Sequence, residues 1–108
     1  DAAMLVRVFL NLFINAAQAM DGAGRLRVET RCEPLDGRPG AAVSVRDSGP
    51  GIPAEALARL FTPFYTGRSR GTGLGLAIAS RIVESHRGRI EGHNHPDGGA
   101  EFVVRLPC

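Results

Sequence analysis

No lysine stands among the thirteen basic residues of this chain, every one being arginine, and tryptophan is missing altogether. The arginines are spread along the sequence (Arg7, Arg25, Arg27, Arg31, Arg46, Arg59, Arg81, Arg105), without the clustered stripe of a nucleic-acid binder, so no nucleic-acid partner is expected. The exclusive use of arginine, beside abundant alanine and glycine, reads as a composition bias of the genome. Cysteine is scarce: Cys32 and Cys108 have no metal-ligand spacing, and both are read as free thiols in a reducing compartment. No uninterrupted apolar run approaches the roughly 18 residues of a membrane span. The first residues lack the basic start and small-residue cleavage site of a signal peptide. A cytoplasmic segment without membrane contact is therefore expected, whether or not the intact protein is membrane-anchored.

What is present fits one domain. The 108 residues, 44% hydrophobic and 22% charged, suffice for a single core. Leu5, Val8, Phe9, Leu12, Ala16 and Ala19 recur at three- and four-residue steps, predicting a helix over 2–20 that Asp21-Gly22 stops. Alternation in 25–31 predicts a half-buried strand, and 41–46 a second one. A short helix is expected over 53–61, an irregular stretch over 62–73 and a third helix over 74–86. Strands at 89–92 and 100–106 flank a Pro96-Asp97-Gly98-Gly99 turn that reads as a hairpin. Helices between strand pairs favour an α+β fold, a two-layer α/β sandwich with a mixed sheet covered on one face by about three helices.

Four stretches carry chemistry. In Gly71-Thr72-Gly73-Leu74-Gly75-Leu76, alternating glycines let the backbone pass close to a ligand. The helix behind them offers unpaired N–H groups and a positive dipole end, so the run suggests a phosphate cradle. It lacks the Gly-Lys-Ser/Thr ending of a P-loop, and Leu76 stands where a dinucleotide fingerprint needs its third glycine. Along the first helix, Arg7, Asn11, Asn15 and Gln18 form a polar stripe beside the apolar one. Its amides either face solvent or ligate a hard cation such as Mg²⁺, which takes oxygen ligands and fills its shell with water and phosphate. Asp47, ahead of Ser48-Gly49-Pro50-Gly51, is either a capping residue before a turn or an acceptor for an exocyclic amine such as that of adenine. Phe61-Thr62-Pro63-Phe64 either packs in the core or walls a pocket.

In order and spacing these stretches resemble the catalytic and ATP-binding (HATPase) domain of two-component sensor histidine kinases, in the GHKL superfamily. Residues 11–19 resemble its N box, 47–52 its first glycine box, 61–64 its F box and 71–76 its second glycine box. The closest type is the short-lid, nitrogen-regulation-like kinase. The resemblance covers nearly the whole chain, 1–108, and implies a Bergerat-type ATP-binding fold truncated at its N-terminus, with the dimerisation and phosphoacceptor domain absent.

The resemblance implies residue roles. Asn15 would ligate the Mg²⁺ that bridges the phosphates, with Asn11 supporting it one turn earlier. Asp47 would bond the adenine amine, and Gly49 and Gly51 would shape the floor beneath the base. Phe64 would line the nucleotide site. Gly71, Thr72, Gly73, Leu74, Gly75 and Leu76 would approach the phosphates, and Arg68 stands where the family often has a lid lysine, so it would contact the terminal phosphate. The implied activity is transfer of the γ-phosphoryl group of Mg·ATP to a histidine on dimerisation helices of the same protein, and from there to the receiver domain of a response regulator. The isolated segment would not autophosphorylate.

Some residues depart from the pattern. Gln18 replaces a common basic residue, the 64–71 loop is short, and His86, His93 and His95 lie outside any phosphoacceptor context and are read as surface residues. Two alternatives follow: a serine kinase of the anti-sigma-factor type, or a degenerate nucleotide-binding module without transfer activity.

Overall fold

The computed structural model describes residues 1–63 and 74–108. In chain order they form α1 (Ala2–Ala19), β1 (Leu26–Cys32), β2 (Gly40–Asp47), α2 (Ala54–Leu57), α3 (Gly75–Ser85), β3 (Arg89–Asn94) and β4 (Ala100–Pro107). The strands make one sheet in the order β1-β2-β4-β3. The expected α+β sandwich is observed, but the described sheet is antiparallel at every pairing and not mixed. Connectivity explains the difference. β1–β2 and β3–β4 are both hairpins, and their second strands meet antiparallel at the centre.

Local chemistry sets the element boundaries. Asp1 caps α1, its carboxylate accepting from the Ala3 N–H at 3.0 Å. Asp36 and Gly37, with φ of 52° and 78°, form the positive-φ pair that suits a tight hairpin, closed by Leu35 and Arg38. α2 is shorter than expected. Beyond Leu57 the backbone continues in three-residue turns, with Arg59 N–H bonding Ala56 O and Thr62 N–H bonding Arg59 O.

The core lies between the helices and one sheet face. Register places Val45 opposite Phe102 and Val43 opposite Val104, so these side chains share the helix side. Val8 and Leu12 of α1, Ala79, Ile82 and Val83 of α3, and Val45, Phe102 and Val104 of the sheet form the cluster. Phe61 meets Phe102 edge to face, with ring centroids 6.3 Å apart. Burying each such aliphatic chain contributes about 1.5–3 kcal/mol. Ile82→Val, which removes one buried methylene, is expected to cost about 1 kcal/mol in urea unfolding.

β1 departs from the half-buried expectation: all seven of its residues are exposed. Val28 pairs with Val45 and so points to the helix side, yet it is 47% exposed. α1 packs on β2 and α3 packs on β3, leaving this edge strand uncovered. α1 also carries an outward apolar stripe of Val6, Leu10, Phe13 and Ile14. By length and composition alone α1 could cross a membrane, at 18 residues and mean hydropathy 1.4. Its opposite stripe of Val8, Leu12 and Ala16 is buried in the core. Cys32 and Cys108 are free thiols, as expected.

The other sheet face carries charge. Arg105 donates to Glu33 at 2.8 Å and to Glu91 at 2.6 Å, while Arg31 donates to the second Glu33 oxygen at 2.8 Å. Hydrogen bonds from Arg105 and then Arg31 hold the Glu33 carboxyl below its usual range. A depressed folded-state pKa means that the stabilisation is complete above the unfolded-state value and lost as pH falls through the folded one. Glu33→Gln is therefore expected to melt below wild type at neutral pH, and the gap should close as both are titrated below about pH 4, near the unperturbed glutamate value. A gap that stays constant across that range would show that the carboxylate is not the stabilising group.

The three histidines are not bare surface groups. His86 and His93 are half-buried, the former bonding Ile82 O through Nδ1 and the latter facing Glu101 at 2.8 Å. The half-buried His95 accepts the Asp97 N–H at 3.1 Å.

Candidate functional site

Asp47 ends β2 and is only 3% exposed. Burying a carboxylate is costly unless hydrogen bonds meet it. Two do: the Gly49 N–H reaches Oδ1 at 2.8 Å and the Ala100 N–H reaches the same oxygen at 3.2 Å. The first bond closes the local turn after the strand, and the second comes from the start of β4. Among the described residues, Oδ2 has no such donor.

The glycines around Asp47 leave little room. A Cβ on Gly49 would meet Asp47 Oδ1 at 3.1 Å and Ala19 O at 3.2 Å. Gly51 has φ +88°, and a Cβ there would lie 2.7 Å from Asn94 Oδ1. Asn94, the last residue of β3, holds the same turn from outside, bonding both the N–H and the C=O of Ile52. Gly99, at φ +79°, lies so close to Asp47 that any Cβ would collide with its backbone carbonyl.

α1 supplies the second part. Its polar stripe runs beside the core stripe, with Asn11 and Asn15 half-buried. Asn11 Nδ2 donates to Gly75 O at 3.2 Å, tying α1 to the first turn of α3. Leu74, the N-cap of α3, makes no side-chain cap hydrogen bond, and the first turn of a helix carries N–H groups and a positive dipole end that suit an anion. A Cβ on Gly75 would touch nothing closer than Asn11 Cγ at 4.0 Å. Packing among the described residues therefore does not demand glycine there. Leu74 and Leu76 are half-buried, and Leu76 packs against the core.

Of the sequence-predicted site residues, Asn11, Gly75 and Leu76 come together at the α1–α3 contact, and Asp47, Gly49 and Gly51 at the β2 turn. Phe64, Arg68, Gly71, Thr72 and Gly73 lie outside the described residues. Sequence reasoning missed Asn94, Gly99 and Ala100. The Gly98-Gly99 pair signalled a turn, but nothing local signalled that its end would hold Asp47 from 53 positions away. A shallow cleft of about 450 Å³, lined by Ala19, Met20, Asp21, Ala23, Ser48, Gly49 and Pro50, borders the turn at the end of α1.

The described residues contain no group of three or more His, Cys, Asp or Glu side chains able to hold a metal ion. One neutral amide oxygen from Asn15 suits Mg²⁺ carried on a polyphosphate, because that ion keeps most of its shell as water and phosphate.

Comparison with known proteins extends the pattern. The family model described as histidine kinase-, DNA gyrase B-, and HSP90-like ATPase matches residues 1–108. The sensor histidine kinase ZraS of Klebsiella oxytoca is 45% identical over 107 residues, covering 99% of this chain and 22% of that protein. The sensory histidine kinase/phosphatase NtrB of Rhodobacter capsulatus is 43% identical over 116 residues, covering 99% of this chain and 32% of that one. The chain thus spans between about a fifth and a third of the length of these curated relatives. Among solved structures, a mycobacterial sensor histidine kinase, MprB, superposes with a TM-score of 0.82 at 32% identity, over 99% of this chain and 72% of that one.

Proposed function

The chain belongs to the histidine kinase-, DNA gyrase B-, and HSP90-like ATPase family, and from that membership we propose that it binds Mg·ATP and donates the γ-phosphoryl group to a histidine of a sensor kinase. The observation that carries the reading is Asp47, a buried carboxylate with one oxygen held by two backbone donors and the other without such a donor among the described residues. That oxygen would accept from the adenine amine, with Gly49 and Gly51 beneath the base.

Asn15 would ligate Mg²⁺ at the phosphates, and Asn11 would keep α1 and the start of α3 in register around it. Bound there, Mg²⁺ would neutralise phosphate charge and orient the γ-phosphoryl group. The α3 N-terminus, with Gly75 and Leu76, would receive phosphate oxygens through backbone N–H groups. Phe64, Gly71, Thr72, Gly73 and Leu74 would complete the nucleotide site. Arg68 would reach the terminal phosphate, its planar fork matching two oxygens.

Transfer then requires an in-line acceptor. A histidine nitrogen on dimerisation helices of the same protein would attack the γ-phosphorus as the bond to the bridging oxygen breaks and ADP leaves. Positioning and charge stabilisation do most of the work in such a step. The phosphohistidine would pass its group to an aspartate on a response regulator receiver domain. The site of action would be the cytoplasm, where ATP is available. The two relatives described above are named as a sensor histidine kinase and a sensory histidine kinase/phosphatase, which favours this reading over a serine kinase of the anti-sigma-factor type.

Calorimetric titration of the 108-residue chain with ATP in Mg²⁺ tests the proposal. Wild type is expected to bind. Asn15→Asp, which places a full negative charge beside the phosphates, is expected to lose at least about tenfold in affinity, or 1.4 kcal/mol. No heat of binding from wild type, or equal binding by the variant, would remove the assignment.

A further inference from the structure

We propose that Asn94 is a positioning residue that sets selectivity for the nucleotide base by clamping the turn beneath it. The proposal rests on the reading of Asp47 as the base contact. Asn94 Oδ1 accepts the Ile52 N–H at 2.6 Å, and Asn94 Nδ2 donates to Ile52 O at 2.9 Å. One side-chain amide thus copies the paired bonds of an antiparallel bridge and fixes both peptide groups of Ile52. The Ile52 side chain is itself anchored in the core at 8% exposure. Gly51 completes the clamp, because its positive φ turns its open side onto Asn94 Oδ1.

Asn94 also stands opposite Ala100 in the β3–β4 register, and the Ala100 N–H holds Asp47. Asp47 and the Gly49–Ile52 turn are therefore set against each other by neighbouring residues of the second hairpin. The distance between the Asp47 carboxylate and the floor of the base site is fixed from outside the site. An amide suits this task because it both donates and accepts. Aspartate lacks the donor and would put a carboxylate oxygen against Ile52 O, and alanine makes neither bond.

Asn94 is an exposed residue at a strand end, and the strand pairings around it are made by backbone groups. Its loss is expected to loosen the turn without unfolding the chain. The informative readout is therefore base discrimination. Inosine triphosphate carries an oxygen where ATP has its exocyclic amine, while inorganic tripolyphosphate reports the phosphate end alone. Affinities of the 108-residue chain for all three are measured in Mg²⁺ by calorimetry, with thermal midpoints taken without nucleotide.

Wild type is expected to prefer ATP over inosine triphosphate by at least about tenfold, and Asn94→Ala to reduce that preference at least about fivefold, within the range of one lost hydrogen-bonded contact. Tripolyphosphate affinity should stay within about twofold of wild type, the range left when hydrogen bonds at that end are untouched. Asn94→Asp should fall between the two, and it decides the matter if Asn94→Ala does not fold. Unchanged preference in the folded Asn94 variants, with preference lost in Asp47→Asn, overturns the role of Asn94 alone. A wild type without preference, or an Asp47→Asn that retains it, overturns the reading of Asp47 and this inference with it.

Discussion

Asp47→Asn is expected to weaken Mg·ATP binding by about a hundredfold while leaving the folded chain intact, a loss of 2–3 kcal/mol that matches a charge-assisted hydrogen bond. The variant keeps an oxygen to accept from the Gly49 and Ala100 N–H groups, so the turn and the start of β4 retain their partner. What changes is the outward atom. On the proposed reading, an acceptor becomes an NH₂ donor facing the donor amine of adenine, and a buried polar group is left unmatched. Calorimetry at fixed Mg²⁺ reads the effect, with a thermal melt as the control for folding. Binding within about threefold of wild type, less than one such bond is worth, would mean that the free Asp47 oxygen does not face the base.

Gly99→Ala is expected to act on stability instead, costing at least 3 kcal/mol and lowering the thermal midpoint by more than about 10 °C, on the scaling for domains of this size. Two causes add. At φ +79° an L-residue is strained, and its Cβ would occupy the position of the Asp47 backbone carbonyl. Relief would require the end of β2 to move, and Asp47 with it. Gly98→Ala separates the causes, since Gly98 has φ +105° but open space around it. That variant should cost only about 1 kcal/mol of backbone strain. Comparable midpoints for the two variants would show that close packing against Asp47 contributes nothing.

Much of this architecture was legible in the residues because its signals are local. The four-residue spacing of Val8, Leu12 and Ala16 marks α1, and the same rows place Asn11 and Asn15 beside the core stripe. Asp47 before Gly49 and Gly51 announces a turn at a strand end. The exposure of β1 was not legible, because alternation tells which side chains share a face and not whether anything covers that face. Leu26 and Val28 read as half-buried and lie open because α1 sits over β2. The sheet was expected to be mixed, yet the partnering of β2 with β4 makes every described pairing antiparallel. Asn94 gave no sign either. Its bonds to Ile52 span 42 positions, and an asparagine at a strand end beside a Pro-Asp-Gly-Gly turn has an ordinary explanation as a turn former.

The clamp on Asp47 also bears on how the chain folds. The carboxylate belongs to the first hairpin, while Gly99, Ala100 and Asn94 belong to the second, so the proposed base site would not exist until both hairpins have docked. A ligand that recognises only the finished site shifts the folding equilibrium by mass action, by about 2.7 kcal/mol at a hundred times its Kd. Cellular nucleotide would then act as a folding cofactor for this chain, and variants that weaken binding would lose abundance as well as activity.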